Sequence, residues 1–342
     1  MAGAADAGAP STGGGGRGST GGSGVGASGQ SGASTGGAAA GSSSLGGGAG
    51  SLGAAGAPAT PALTWTLEGA SYSYQNVWGS GPDDIYVVGQ AGKLVHSVGD
   101  GKWTTQSTGT TSHLTGIWAA SATDIYVSVK ANVILHSAGD GTWQHQDYTS
   151  GTVFEDIWGS GPTDIYAVGA GVVHGTGGGK WGTPAQDPGT GSEFAIWGSS
   201  ATDLYVARDG AGDQTISHST GDGMWKTQTT PAGPKMQVIW GADAAHIYAA
   251  GGNTLLFSAG DGVWTPQLTL PGTEYFGGLW GLSANEVFAC TSAGHFYRSD
   301  GRAWSEPQSY DPSTGALCNG VWGSAEDNLY LATGRGIFHG AK

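Results

Sequence analysis

The chain has 342 residues and a formal net charge of −14, and only 11% of its residues are charged. Its twelve Lys and Arg residues are scattered, which excludes the basic footprint of a nucleic-acid binder and disfavours anionic membrane surfaces. No apolar run approaches the ~18 residues that a membrane-spanning helix needs, so no membrane insertion is expected.

Residues 1–60 are almost entirely Gly, Ala, Ser and Thr, with no aromatic residue and one basic residue, Arg17. Such a segment has too little apolar surface to offset its ordering entropy and reads as a disordered linker. The start, Met1 to Asp6, lacks the charged and apolar regions of a signal peptide. A small-residue tether ahead of a folded domain nevertheless suits a surface-attached protein, so an extracytoplasmic or cell-surface location is expected. Residues 61–342 hold all fourteen Trp, all twelve Tyr and all seven Phe, enough for the core of one domain.

The tryptophans form two interleaved sets of seven. Trp78, Trp118, Trp158, Trp197, Trp240, Trp280 and Trp322 make the first; Trp65, Trp103, Trp143, Trp181, Trp225, Trp264 and Trp304 make the second. Each set recurs every 38 to 44 residues, the length of four short strands and their turns. In every unit an aliphatic residue precedes the first Trp and an aromatic lies eight residues after it, from Tyr86 to Tyr330. Val77-Trp78 ends strand A, and Gly79-Ser80-Gly81-Pro82-Asp83 has turn chemistry. Ile85 to Val88 is strand B, Lys93 to Ser97 strand C, and Lys102 to Gln106 strand D after the tight turn Gly99-Asp100-Gly101. No segment has a convincing helical period. The expectation is an all-β, seven-bladed β-propeller of four-stranded blades.

The seventh unit runs from Val321 to His339 and has no strand D. The unmatched Trp65 lies at the other end of the domain. Residues 63–67 are therefore expected to supply the outer strand of the last blade and so close the ring.

At these residues the chain resembles the bacterial propeller repeats with the pattern Trp-Gly-Ser-x-x-x-Asp-aliphatic-Tyr, found in large secreted or lipid-anchored proteins, notably of myxobacteria. The hairpin Ser137-Ala138-Gly139-Asp140-Gly141-Thr142-Trp143 is similar to the Asp-box of sialidase-type (BNR) propellers, with the spacing offset by about one residue. The resemblance covers residues 63–340 and implies architecture. It does not select a function, because propellers host binding modules, lectins, lyases and glycosidases. Sialidase chemistry needs an arginine cluster, and the domain holds only Arg208, Arg298, Arg302 and Arg335.

Repeated polar residues read as scaffold. His96, His136, His174, His218 and His339 share one place in strand C, with Phe257 and Tyr297 in the other two blades. Equivalent residues in different blades are too far apart to converge on a metal, and no metal or cofactor is expected. Asp84, Asp124, Asp164 and Asp203, before strand B, are expected to bond nearby backbone N–H groups, as are Asp100, Asp140, Asp222 and Asp261 in the Gly-Asp-Gly turns. Cys290 ends strand B of blade 6 and Cys318 opens strand A of blade 7, on the same face. A disulfide and a pair of buried thiols are equally compatible with that placement.

Function is sought where the repeat is broken. The B–C turns and D–A loops share one face and carry the variable segments. The ligand-binding candidates there are Tyr72, Tyr148, Arg208, Asp209, Asp213, Tyr275, Tyr310 and Asp311. Aromatics mixed with carboxylates can stack on and hydrogen-bond a sugar or clasp a peptide. The leading expectation is a non-catalytic, monomeric recognition module for a glycan or protein partner at the cell surface. The alternatives are a lyase or glycosidase-type enzyme using the same face, and a scaffold without a ligand.

Overall fold

The computed structural model describes residues 62–69, 71–148, 153–183, 192–209, 215–311 and 316–342. Residues 1–60, expected from the sequence to be a linker, and Asp213 lie outside them. The described residues build seven four-stranded antiparallel sheets in a ring, a seven-bladed β-propeller. One short 3-10 turn, Gln90–Gly92, is the helical element among them. Strand A of each blade lines the axis. These strands are Tyr74–Gly81, Leu114–Ser121, Phe154–Gly161, Glu193–Ser200, Val238–Asp243, Phe276–Ser283 and Cys318–Ala325.

The ring closes in the last blade. Thr64–Glu68 pairs antiparallel with Ile337–Ala341 in the register Trp65↔Gly340, so a single sheet joins the two ends of the domain. Glu68 ties this joint to both neighbours. Its carboxylate accepts from Trp103 Nε1 of blade 1 at 3.1 Å and meets His339 Nδ1 at 2.9 Å.

The two tryptophan sets do different work between blades. Five first-set indoles, Trp118, Trp158, Trp197, Trp240 and Trp322, lie against the Gly that follows the Trp of the next blade. A methyl group on Gly79 would stand 2.6 Å from the Trp322 ring, and one on Gly241 2.5 Å from Trp197. The Trp-Gly pairing in the sequence is thus a close-approach requirement. Three second-set indoles donate to a Gln of the preceding blade: Trp143 to Gln106, Trp181 to Gln146 and Trp264 to Gln228, at 2.7–2.9 Å.

Two expectations about repeated polar residues are corrected. The Asp before strand B does not cap backbone N–H groups. Asp84 accepts from Ser80 Oγ at 2.5 Å and meets His96 Nε2 at 2.8 Å, while the imidazole stacks on Tyr86 with centroids 4.3 Å apart. Asp124–His136, Asp164–His174 and Asp203–His218 repeat the contact at 2.8 Å. Strands B and C are neighbours, so their polar residues reach each other before they reach a turn. In blade 6 the residue opposite Phe288 is Arg298, not Tyr297, and Glu286 replaces the Asp, pairing with that Arg at 2.5 Å. By contrast, Asp100, Asp140, Asp222 and Asp261 accept backbone N–H groups two residues on, at 2.9–3.0 Å.

Cys290 and Cys318 are joined by a disulfide across blades 6 and 7, with Cα atoms 5.9 Å apart. It lies in a cluster with Phe288, Phe296, Tyr310 and Phe338.

Candidate functional site

The seven strands A leave an axial channel whose two halves open on opposite faces. The upper basin, on the B–C/D–A face, has a volume of about 370 Å³. Four side-chain amides stand in its wall, Gln75, Asn76, Gln237 and Asn319; Asn76 Oδ1 accepts the Val77 N–H and Asn319 Nδ2 donates to Tyr74 O. Phe194 and Tyr275 add aromatic surface, and Tyr275 is 39% exposed. Glu155 sits at the rim paired with Lys130 at 2.8 Å. The lower cavity, about 450 Å³, is a cone of indoles and aliphatic side chains. Asn76, Asp156, Ile239, Leu279 and Val321 line both halves and form the waist between them.

Asp156 is the titratable group at that waist. One carboxylate oxygen accepts the Ile196 N–H of blade 4 at 3.1 Å. The carboxyl keeps some contact with the channel interior but is surrounded by protein. Burial pushes its pKa up to about 7, against the smaller opposing pull of the Ile196 and Ile157 N–H groups. A carboxyl whose proton is held toward neutrality, in a channel, is a candidate functional position.

The eight residues proposed from the loops do not converge. Tyr275 alone lines the basin. Tyr72 donates to Gln90 O at 3.0 Å and packs beside Tyr74. Tyr148 is half-buried, with its ring 6.1 Å from Phe154. Arg208 is 4% exposed and donates to Thr227 Oγ1 at 2.9 Å, while Asp209 pairs with Lys235. Asp213 lies outside the described residues. Tyr310, at 1% exposure, and Asp311, at 5%, are interior residues rather than surface ones. The Tyr310 hydroxyl donates to the Thr291 and Ala316 carbonyls, and Asp311 meets Arg335 at 2.5 Å. The long D–A loop before blade 7 folds its aromatic inward because the blade 6–7 seam offers an apolar slot. Tyr310→Phe should therefore cost about 1–2 kcal/mol of stability, as expected for a buried hydroxyl with carbonyl partners. Chemical denaturation of the variant would check it; an unchanged midpoint would contradict the assignment.

The channel residues were missed because they lie in strands, not loops. A signal was present. The residue two before the first-set Trp is Gly116, Ala195, Val238, Gly278 or Gly320 in five blades, but Asn76 and Asp156 in the other two. Those two polar exceptions are the ones at the waist.

Among the described residues no group of three or more His, Cys, Asp or Glu could hold a metal ion. No family model matches the chain, and no curated protein matches it. Solved structures do. The structure titled YCF48 bound to D1 peptide is similar with a TM-score of 0.68 and 13% identity, over 84% of this chain and 99% of that one. A catalytically inactive virginiamycin B lyase from Staphylococcus aureus with quinupristin gives 0.71 and 13%, over 82% and 99%. The WD40 propeller domain of Doa1 gives 0.65 and 11%, over 82% and 95%. At such identities the likeness shows the fold, a seven-bladed propeller, and not the activity.

Proposed function

We propose that the protein is a non-catalytic recognition module that holds an extended segment of a protein partner across the upper basin. The observation that carries this reading is the basin's ring of four side-chain amides, Gln75, Asn76, Gln237 and Asn319, beside the exposed Tyr275 ring. Amides offer both donors and acceptors, which matches a peptide backbone, and an exposed tyrosine is a typical anchor. Two propeller neighbours support it in kind: one is bound to a peptide, and the other is a WD40 domain. A glycan offers similar hydrogen-bonding groups and is the second outcome of the test. The disulfide suits an extracytoplasmic location, in keeping with the likeness to secreted bacterial propeller repeats.

A displayed peptide library and a glycan array, each probed with the whole chain, test the proposal. Enriched peptides should lose roughly tenfold or more in affinity for Tyr275→Ala, the loss expected of a central aromatic anchor. Peptides that bind the Tyr275→Ala variant as well as the parent, or glycan binding alone, would overturn it. The alternative, a lyase or glycosidase at the same basin, draws on the Asp156 carboxyl as a general base. Saturable peptide binding with no conversion of ligand would count against that alternative.

A further inference from the structure

The lower half of the channel has different chemistry from the basin and faces the opposite way. Six of the seven first-set indoles line it: Trp78, Trp118, Trp158, Trp197, Trp240 and Trp280. Their orientation follows from ring geometry. Trp240 and Trp280 are 6.1 Å apart and inclined at 53°, and Trp280 and Trp322 are 6.4 Å apart at 43°. Blades in a ring of seven are turned by about 51° from one to the next. Indoles lying flat across the axis would be parallel, so Trp240, Trp280 and Trp322 stand upright around it. Trp240 also reaches sideways to Gly281 and Trp322 to Gly79 of the next blade, so the long direction of these two rings is tangential. An upright, tangential ring turns a face to the axis. The strand B tyrosine backs the other face: Trp118–Tyr126 and Trp240–Tyr248 lie 6.2 and 6.3 Å apart at 31° and 25°.

The cone is thus walled by aromatic faces, whose negative quadrupole attracts cations. The charge at its inner end has the matching sign, since Asp156 closes the cone with the Asn76 amide. We infer that the lower cavity is a separate binding site for a small organic cation, a quaternary or protonated alkylammonium, with its head group between the indoles and Asp156. At about 450 Å³ the cavity is wider than a single small head group. Cation–π attraction is strong within ~6 Å of a centroid, so the head group lies against one side rather than on the axis. Asp156 belongs to blade 3 and selects the side of Trp118, Trp158 and Trp197. The mouth of the cone is open on the lower face, where Leu282, at 38% exposure, forms part of the rim.

Binding a cation favours the ionised carboxylate, and its proton is released to solvent. The groups that meet Asp156 from neighbouring blades are uncharged: Gly116 of blade 2 and the Ile196 N–H of blade 4. Glu155, its neighbour in sequence, is engaged by Lys130. Affinity for a cation is therefore expected to rise from pH 6 to pH 8.

The test is isothermal titration calorimetry of the whole chain with choline and with neohexanol, its uncharged carbon isostere. Choline should bind saturably and about tenfold or more tighter than neohexanol, and should tighten from pH 6 to pH 8 while neohexanol does not. Asp156→Asn should bring choline down to the level of the isostere. Equal binding of the two probes, an affinity for choline indifferent to pH, or no saturation with choline would each overturn the inference. The first two measurements use the unaltered protein, so the result does not depend on the variant folding. Tyr275 lines only the upper basin, so Tyr275→Ala should leave choline affinity unchanged.

Discussion

Deletion of residues 61–68 is expected to lower the melting temperature by roughly 10 °C or more, while deletion of residues 1–55 leaves it unchanged. The first truncation removes the outer strand of blade 7. Five register pairs with Ile337–Ala341 are lost, and with them the strand that covers that sheet's edge. It also removes Trp65, whose ring packs edge-on against Phe296 at 5.0 Å and Tyr310 at 6.0 Å, and Leu63 from the same cluster. Trp65 is half-buried, so its loss costs less than the about 3–5 kcal/mol of a fully buried aromatic and adds to the loss of the strand pairing. Loss of Glu68 further unpairs Trp103 and His339 on either side of the joint. Calorimetric melting of the two truncations decides the matter, and equal melting temperatures would show that the joint contributes nothing.

The second large effect is on pH dependence. Burial raises the Asp156 carboxyl in the folded protein from the ordinary carboxylate range, 3.8, up to about 7. The folded protein therefore holds this proton more tightly than the unfolded chain does. Stability from this group is greatest below about pH 4 and is progressively lost as pH rises through 7. The full span corresponds to about 4 kcal/mol as an upper bound, at 1.36 kcal/mol per unit. Asp156→Asn cannot ionise and removes that penalty. The variant should be more stable than the parent at pH 8 and close to it at pH 4–5. Denaturant midpoints for both proteins across this range isolate the group, because the other titrations are common to both. A difference independent of pH would mean that the carboxyl is not desolvated in solution. The two chain positions also separate cleanly: the deletion acts at all pH values, and the substitution only where the carboxyl would ionise.

These two cases mark how far the sequence could be read. The ring closure was legible because it is a counting problem. Two sets of seven Trp, with Trp65 unmatched at one end and a unit without strand D at the other, admit one arrangement, and Trp65↔Gly340 is its register. Strand content was legible for a similar reason, since β-branched runs between Gly-rich turns recur seven times. The side-chain partnerships were less so. Asp84 and His96 are twelve residues apart, and nothing local shows that a carboxylate before strand B meets an imidazole in strand C. Once strands B and C are paired, the contact follows. The replacement of His by Arg298 opposite Glu286 in blade 6 is the same contact in other residues.

The site was the least legible part. Loop residues such as Tyr310 look available because loops are usually exposed, yet the seam between blades 6 and 7 has room for an aromatic and takes it. Asp156 looks ordinary because a single carboxylate in strand A stands out only when the other six blades are set beside it. The repeat by itself determined the architecture, since every blade must satisfy the same hydrophobic period, turn chemistry and Trp-Gly interlock. Only the closed ring decided the channel. Its walls are assembled from seven segments about 40 residues apart, and the burial that shifts Asp156 exists only when all seven stand around it.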